Sequence, residues 1–404
     1  MSQNKKILVT SFQSLTEQSA GGMARLGYYV SEQLHKRGIL DKFVVFSKGK
    51  HTTSFPSVPV SMMSRVYLRI LNSLNKYIKL PDHKFRLIQE HLYDILCKRH
   101  IKNDISILFT TNAHMRRTFA KAKKKGIRII YVPANPEEDF IYNLITEENK
   151  KLNIEETDAY TYYPRLQFYH RSIGYVDTVV GTYPTVYKTY IESGSSHYDV
   201  VELTGHLKPD FKPYTLEENI IKPTFKVIFV ASTVVLKGLQ YLLEAWEMLM
   251  NEYPDVNMEL HIVGFIEVPL HEYIKKRFPA LPKVTFAGRV PDVTAYLKDK
   301  DLSVVPSLTD GGPYVALEAA HYGLPVILTE NCGSAELLSR NQSGCKIIPI
   351  KDAHAIKEQI VWAYNNREEA KQLGLNAKHN LESYDMGAFI SELADYLKKE
   401  LENT

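Results

Sequence analysis

The sequence is short of the features that would place it in a special class. Its 404 residues include only three cysteines, Cys97, Cys332 and Cys345, an odd number without metal-ligand spacing. That argues against a disulfide scaffold and against a metal site, and predicts buried thiols in a reducing compartment. No apolar run is long enough for a signal peptide or a membrane span, and the first residues lead straight into an apolar strand. The expected location is therefore cytoplasmic, or peripheral on the inner face of the plasma membrane. Internal repeats and low-complexity segments are absent. A formal net charge of +4 is too mild to point to nucleic acid. The first strand-to-helix loop carries Gly21 and Gly22 but no GxGxxG fingerprint, which argues against a nicotinamide site.

What is present is the composition of a globular protein, 44% apolar and 24% charged, in a chain long enough for two domains. Short apolar runs alternate with helical patterns throughout, as in a parallel α/β sheet. In the first half the strands are expected at 6–10, 42–46, 105–110, 127–132, 177–181 and 200–203. Residues 62–80 break that rhythm. Met62, Val66, Ile70, Leu74 and Ile78 recur every four residues, with Arg65, Arg69, Lys76 and Lys79 on the other side of the wheel. Such a helix either packs on a core with a solvated basic face or rests on an anionic bilayer. The stretch 205–223, with three prolines, reads as an interdomain linker.

Residues 301–338 carry the most information. Leu302, Val304 and Val305 form a strand ending at Pro306, a polar loop follows, and Pro313 is expected to open a helix that stops near Gly323. Val326 to Thr329 is the next buried strand. The loop thus lies on the carboxyl edge of a parallel sheet, where such sheets bind ligands. Gly311 and Gly312 allow close backbone approach, and the N–H groups of Tyr314, Val315 and Ala316 open a helix N-terminus suited to an anion. Asp310 and Glu318 flank that start. An acid there would repel phosphate, so sugar hydroxyls are its natural partners. The alternative is that Asp310 only caps the helix and Glu318 lies on a solvated face.

These residues carry a family resemblance. Asp310-Gly-Gly-Pro-Tyr-Val-Ala-Leu-Glu318, continuing into Ala-Ala-His-Tyr-Gly-Leu-Pro-Val, resembles the signature of the family 4 retaining glycosyltransferases (glycosyl transferases group 1). Gly333 to Leu337 and Gly344 fit that family's next turn. The resemblance implies a GT-B fold: two doubly wound Rossmann-like domains facing across a cleft. Their expected extents are 1–205 on the acceptor side, with a tail helix in 381–404 packing back on it, and 223–380 for the nucleotide sugar. It implies metal-independent transfer, with retention and without a cofactor, from a nucleotide diphosphate sugar to an acceptor hydroxyl, in synthesis of a cell-surface glycan or glycoconjugate. The acceptor class (glycan, lipid-linked sugar or protein) stays open, as does peripheral membrane contact through 62–79.

By the same carry-over Lys237, beside Gly238, and the amides after Gly312 and Pro313 hold the diphosphate, with Ser232 where the family commonly has an arginine. Glu318 holds the ribose. Asp310, where the family commonly has glutamate, holds the donor sugar. The loops at Gly264 and Arg289 frame the base, with Arg289 a contact to base or phosphate, and Gly21 and Gly22 face the donor phosphates. Asn135 stands where many members carry a histidine, and His114 at the preceding strand end is a substitute for it. The missing arginine and histidine keep two rivals open: a nucleotide-sugar-binding or scaffold protein without turnover, and a GT-B epimerase.

Overall fold

The computed structural model describes residues 5–15, 23–155, 158–208, 211, 223–232 and 234–404. Gly21, Gly22 and most of the expected linker lie outside the described residues. The chain divides into two compact units. The first comprises 1–142, 157–207 and 385–404, and the second 143–156 and 208–384.

The first unit is built on a seven-stranded sheet: β1 (Lys6–Ser11), β2 (Leu40–Val45), β3 (Ser57–Pro59), β4 (Ile105–Thr110), β5 (Arg128–Tyr131), β6 (Thr178–Gly181) and β7 (Asp199–Glu202). Its order is β3-β2-β1-β4-β5-β6-β7, with parallel pairs throughout. Runs such as Ile7-Leu8-Val9 and Ile107-Leu108-Phe109 are apolar without alternation because helices cover both faces. The final helix, Met386–Glu402, buries Phe389, Ile390, Leu393 and Leu397 within this unit. It packs on the helix Met23–Lys36, and Arg37 at that helix's end reaches Asp395 at 2.9 Å.

The second unit has a six-stranded parallel sheet: β8 (Phe225–Val230), β9 (Met258–Val263), β10 (Val284–Gly288), β11 (Leu302–Val305), β12 (Val326–Thr329) and β13 (Cys345–Ile348). Its order is β10-β9-β8-β11-β12-β13. The chain first winds outward from β8 through β9 to β10, then returns to β11 on the other side of β8. Loops leaving β8 and β11 therefore diverge, and the crevice between them is where a doubly wound sheet binds ligands. Residues 143–156 belong to this unit through the buried Glu148, which accepts from Gln240 Nε2 at 3.4 Å and lies 3.6 Å from Lys351 Nζ. Cys97, Cys332 and Cys345 are free and buried.

Candidate active site

At the β8/β11 divergence the second unit holds a cleft of about 570 Å³. Its floor is the carboxyl ends of the two strands, Phe229 to Ala231 and Val304 to Val305. Its polar groups come from three loops. Ser232 and Lys237 follow β8, Ser307 and Asp310 follow β11, and Arg289 follows β10. Pro313, Tyr314 and Val315 bring in the start of the next helix.

Contacts between neighbouring loops fix this edge. Leu308 N–H donates to Leu236 O at 2.8 Å, Asp310 N–H to Asn331 O at 2.9 Å, and Gly333 N–H to Asp310 O at 2.9 Å. Thr329 Oγ1 donates to Ser307 O at 2.5 Å. Two glycines are demanded by space as well as by backbone angle. Gly238 has φ 69° and a Cβ there would lie 1.8 Å from Pro306 O; Gly264 has φ 121° and a Cβ would lie 1.8 Å from Ala231 O. The left-handed glycines of this edge are thus Gly238, Gly264 and Gly288, while Gly311 and Gly312 are not among the glycines with positive φ.

The central interaction is an ion pair between residues 73 apart in sequence. Lys237 Nζ donates to Asp310 Oδ2 at 2.5 Å, and Gly312 N–H donates to Oδ1 at 3.3 Å. The carboxylate thereby orients the lysine and shapes the loop into the helix. An ammonium has three donors and each carboxylate oxygen two lone pairs, so the pair keeps capacity for a polar ligand. Beneath it, burial and then the Asp310 charge push the Cys332 thiol up to about 12, so it remains a neutral packing group.

The helix runs Tyr314–His321, and Pro313 is its N-cap rather than its first residue. Ala316 N–H already donates to Pro313 O at 3.1 Å because the first turn is tight, and Tyr314 and Val315 stand at the helix mouth. Glu318 is half-buried, and its carboxylate has no hydrogen-bond or ion-pair partner among the described residues. Burial alone raises its carboxyl above the usual range. Neither Glu318 nor Gly311 and Gly312 line the cleft directly.

The sequence reading missed Phe265. It lines the cleft, and the Arg289 guanidinium lies over its ring at 4.8 Å. Its signal was its place, immediately after Gly264 at a strand end. Asn135 is half-buried in the first unit, in the loop after β5. His114 is buried after β4 in that unit; Arg165 Nη2 donates to its Nδ1 at 3.4 Å, so Nε2 carries the proton and has no partner.

Comparison with known proteins agrees with this geometry. Residues 224–366 match the family model for glycosyl transferases group 1. An uncharacterized glycosyltransferase of Haemophilus influenzae is 29% identical over 160 residues, 39% of this chain and 44% of that protein. The match thus spans less than half of that relative. Among solved structures, WaaG, a glycosyltransferase involved in lipopolysaccharide biosynthesis, superposes with a TM-score of 0.60 at 16% identity, covering 96% of this chain and 99% of its own. Anabaena HepE in complex with UDP gives 0.59 at 13%, covering 98% and 100%. The chain has the GT-B fold, and its residues 224–366 are similar to the glycosyl transferases group 1 family.

Proposed function

We propose that this protein moves a sugar from a nucleotide diphosphate sugar to an acceptor hydroxyl, without a metal and with retention at the anomeric carbon. The observation that carries the reading is the Lys237–Asp310 pair, set beside a helix N-terminus at the switch point of a doubly wound sheet. Departure of a diphosphate concentrates negative charge on its bridging oxygen. A fixed ammonium and the Val315 amide at the helix mouth are oriented before the bond breaks, so stabilising that charge costs no reorganisation. In this reading Lys237 binds the diphosphate with Ser232, Gly311, Gly312 and Pro313 shaping the loop around it. Asp310 holds hydroxyls of the donor sugar and aims the lysine. The unpartnered carboxylate of Glu318 takes the ribose hydroxyls, and Gly264, Phe265 and Arg289 frame the base.

HepE, crystallised with UDP, and WaaG, with its part in lipopolysaccharide biosynthesis, favour a uridine-type donor and a glycan or glycoconjugate product. Asn135 and His114 belong to the acceptor side, with Gly21 and Gly22 facing the donor phosphates. The working place is the cytoplasm with peripheral contact to the inner face of the plasma membrane through residues 62–79. A thermal-shift screen of nucleotide sugars identifies the donor, since a ligand of the folded state raises its stability with affinity and concentration. Release of free nucleoside diphosphate from the stabilising donor then separates a transferase from a binding protein. Nucleotide affinity with no release under any acceptor refutes turnover, and release of a sugar altered at one carbon marks an epimerase.

A further inference from the structure

Among the described residues, the exposed large apolar side chains gather most densely on and beside the helix Ser64–Ile78. Seven of the sixteen exposed large apolar side chains among the described residues fall between Met62 and Ile78. Ile70 is 52% exposed, Leu74 50% and Tyr77 86%, levels at which a core-packed helix would show burial instead. At 3.6 residues per turn the helix has three faces. Ser64, Tyr67 and Leu68 pack inward on the core of the first unit. Met62, Val66, Ile70, Leu74 and Tyr77 form a continuous outward stripe. Arg65, Arg69, Lys76 and Lys79, all exposed, make a third band beside it.

The charge around this stripe has one sign. No acidic residue occurs between Asp41 and Asp82, while seven lysines and arginines do. A protein partner with an apolar groove would be satisfied by the stripe alone. The adjoining basic band selects an occupant that is apolar in depth and uniformly anionic at its surface, which describes a bilayer rich in acidic headgroups. No described helix is long and apolar enough to cross a membrane, so the contact lies in the plane.

We infer that Ser64–Ile78 is an in-plane anchor for anionic membrane, its outward stripe entering the acyl boundary and its basic band lying among acidic headgroups. This deepens the location given above and does not use the transfer chemistry, so vesicle binding and turnover can fail separately. The test is co-sedimentation of the full chain with vesicles of mixed phosphatidylglycerol and phosphatidylcholine, and with phosphatidylcholine alone. Binding is expected to the anionic vesicles, to weaken with salt, and to fall ~10-fold or more in Ile70→Glu/Leu74→Glu and in Arg65→Glu/Arg69→Glu. All four positions are exposed, and a melting curve checks that each variant folds; if the apolar pair does not fold, the charge pair decides alone. Wild-type protein that ignores anionic vesicles overturns the inference. Binding unchanged in the variants overturns it as well. A concentration-dependent dimer dissolved by Ile70→Glu/Leu74→Glu, without vesicle binding, assigns the face to a second copy.

Discussion

The two units share one sheet plan and use its switch point in opposite ways. In the second unit the strands β8 and β11 diverge around an apolar-floored cleft with one ion pair, Lys237–Asp310, at its lip. In the first unit the region after β4 leads into a buried charge network. Glu90, fully buried, meets Arg86 at 2.9 Å and Arg165 at 3.2 Å, and Arg165 also pairs with Glu138 at 2.9 Å. Burial pushes the Glu90 carboxyl up, but Arg165 first, then His114 and Arg86, overcome it and hold the group down at about 2. Charge accessible at a cleft suits ligand chemistry; charge satisfied inside a core suits architecture. The same fold thus leaves one edge open as a candidate site and, at this point of the other, satisfies its charge internally.

The sharpest way to break this comparison is to remove one acid from each edge. Asp310→Ala should cost donor turnover ~100-fold or more, the scale of losing an oriented electrostatic contribution, with the melting temperature moved little. Nucleoside diphosphate release from the donor reads it. Turnover that survives in Asp310→Ala would move the chemistry away from this pair. Glu90→Gln should do the reverse. It removes the buried charge that Arg165 shares with the half-exposed Arg86, and since Arg165 keeps Glu138 the expected loss is about 3 kcal/mol of stability, the lower end for a broken buried pair. Chemical denaturation of the full chain measures it.

How far each edge could be read in sequence follows from how its parts are connected. Leu302 to Val305 and Val326 to Thr329 were legible to the residue, since a strand covered on both faces is an unbroken apolar run. Asp310 and Glu318 stood out because one loop and one short helix hold them in a local pattern. The Lys237–Asp310 bond was not legible, because only the β8–β11 pairing brings those loops together. The first unit's network was less legible still: Glu90, Arg165, Glu138 and His114 come from separate elements, and none sits in a recognisable spacing. Strand β3 escaped because three residues, one of them proline, carry no periodicity. For residues 62–80 the pattern showed an amphipathic helix, and only the structure shows that its apolar stripe faces outward.

Acid sharpens the contrast further. His114 is buried, and burial together with Arg165 lowers its pKa from the ordinary 6.5 to about 4. The unfolded chain takes up this proton as pH falls through about 6.5 and the folded chain does not, so stability declines between those values at ~1.4 kcal/mol per pH unit. Glu90 acts in the next window. Its folded value lies below the unfolded one, so its contribution is complete above the ordinary carboxylate range and is lost as pH falls toward about 2. Denaturation followed from pH 7 to 3 should therefore show two successive acid limbs. His114→Asn should remove the upper limb and keep a lower one, moved to somewhat higher pH because the His114 charge helps to hold Glu90 down. A single limb unchanged in His114→Asn would mean that the imidazole is not held neutral by this network.

The smallest expected effect tests whether the second unit's edge depends on backbone proximity as the first unit's depends on charge. Gly238 and Gly288 have nearly the same left-handed backbone, φ 69° and 64°. A methyl group on Gly288 would meet no atom within 4 Å, whereas one on Gly238 would fall on the Pro306 carbonyl oxygen. Gly288→Ala should therefore carry only the conformational penalty, about 1 kcal/mol. Gly238→Ala adds a collision that cannot be relieved without moving the loop that bears Lys237 away from β11. Its signature is a larger drop in melting temperature together with weaker nucleotide binding, read by titration of UDP against both variants. Equal behaviour would show that the Lys237 loop tolerates displacement, and that the ion pair with Asp310, rather than the close packing of Gly238 on Pro306, sets the geometry of the cleft.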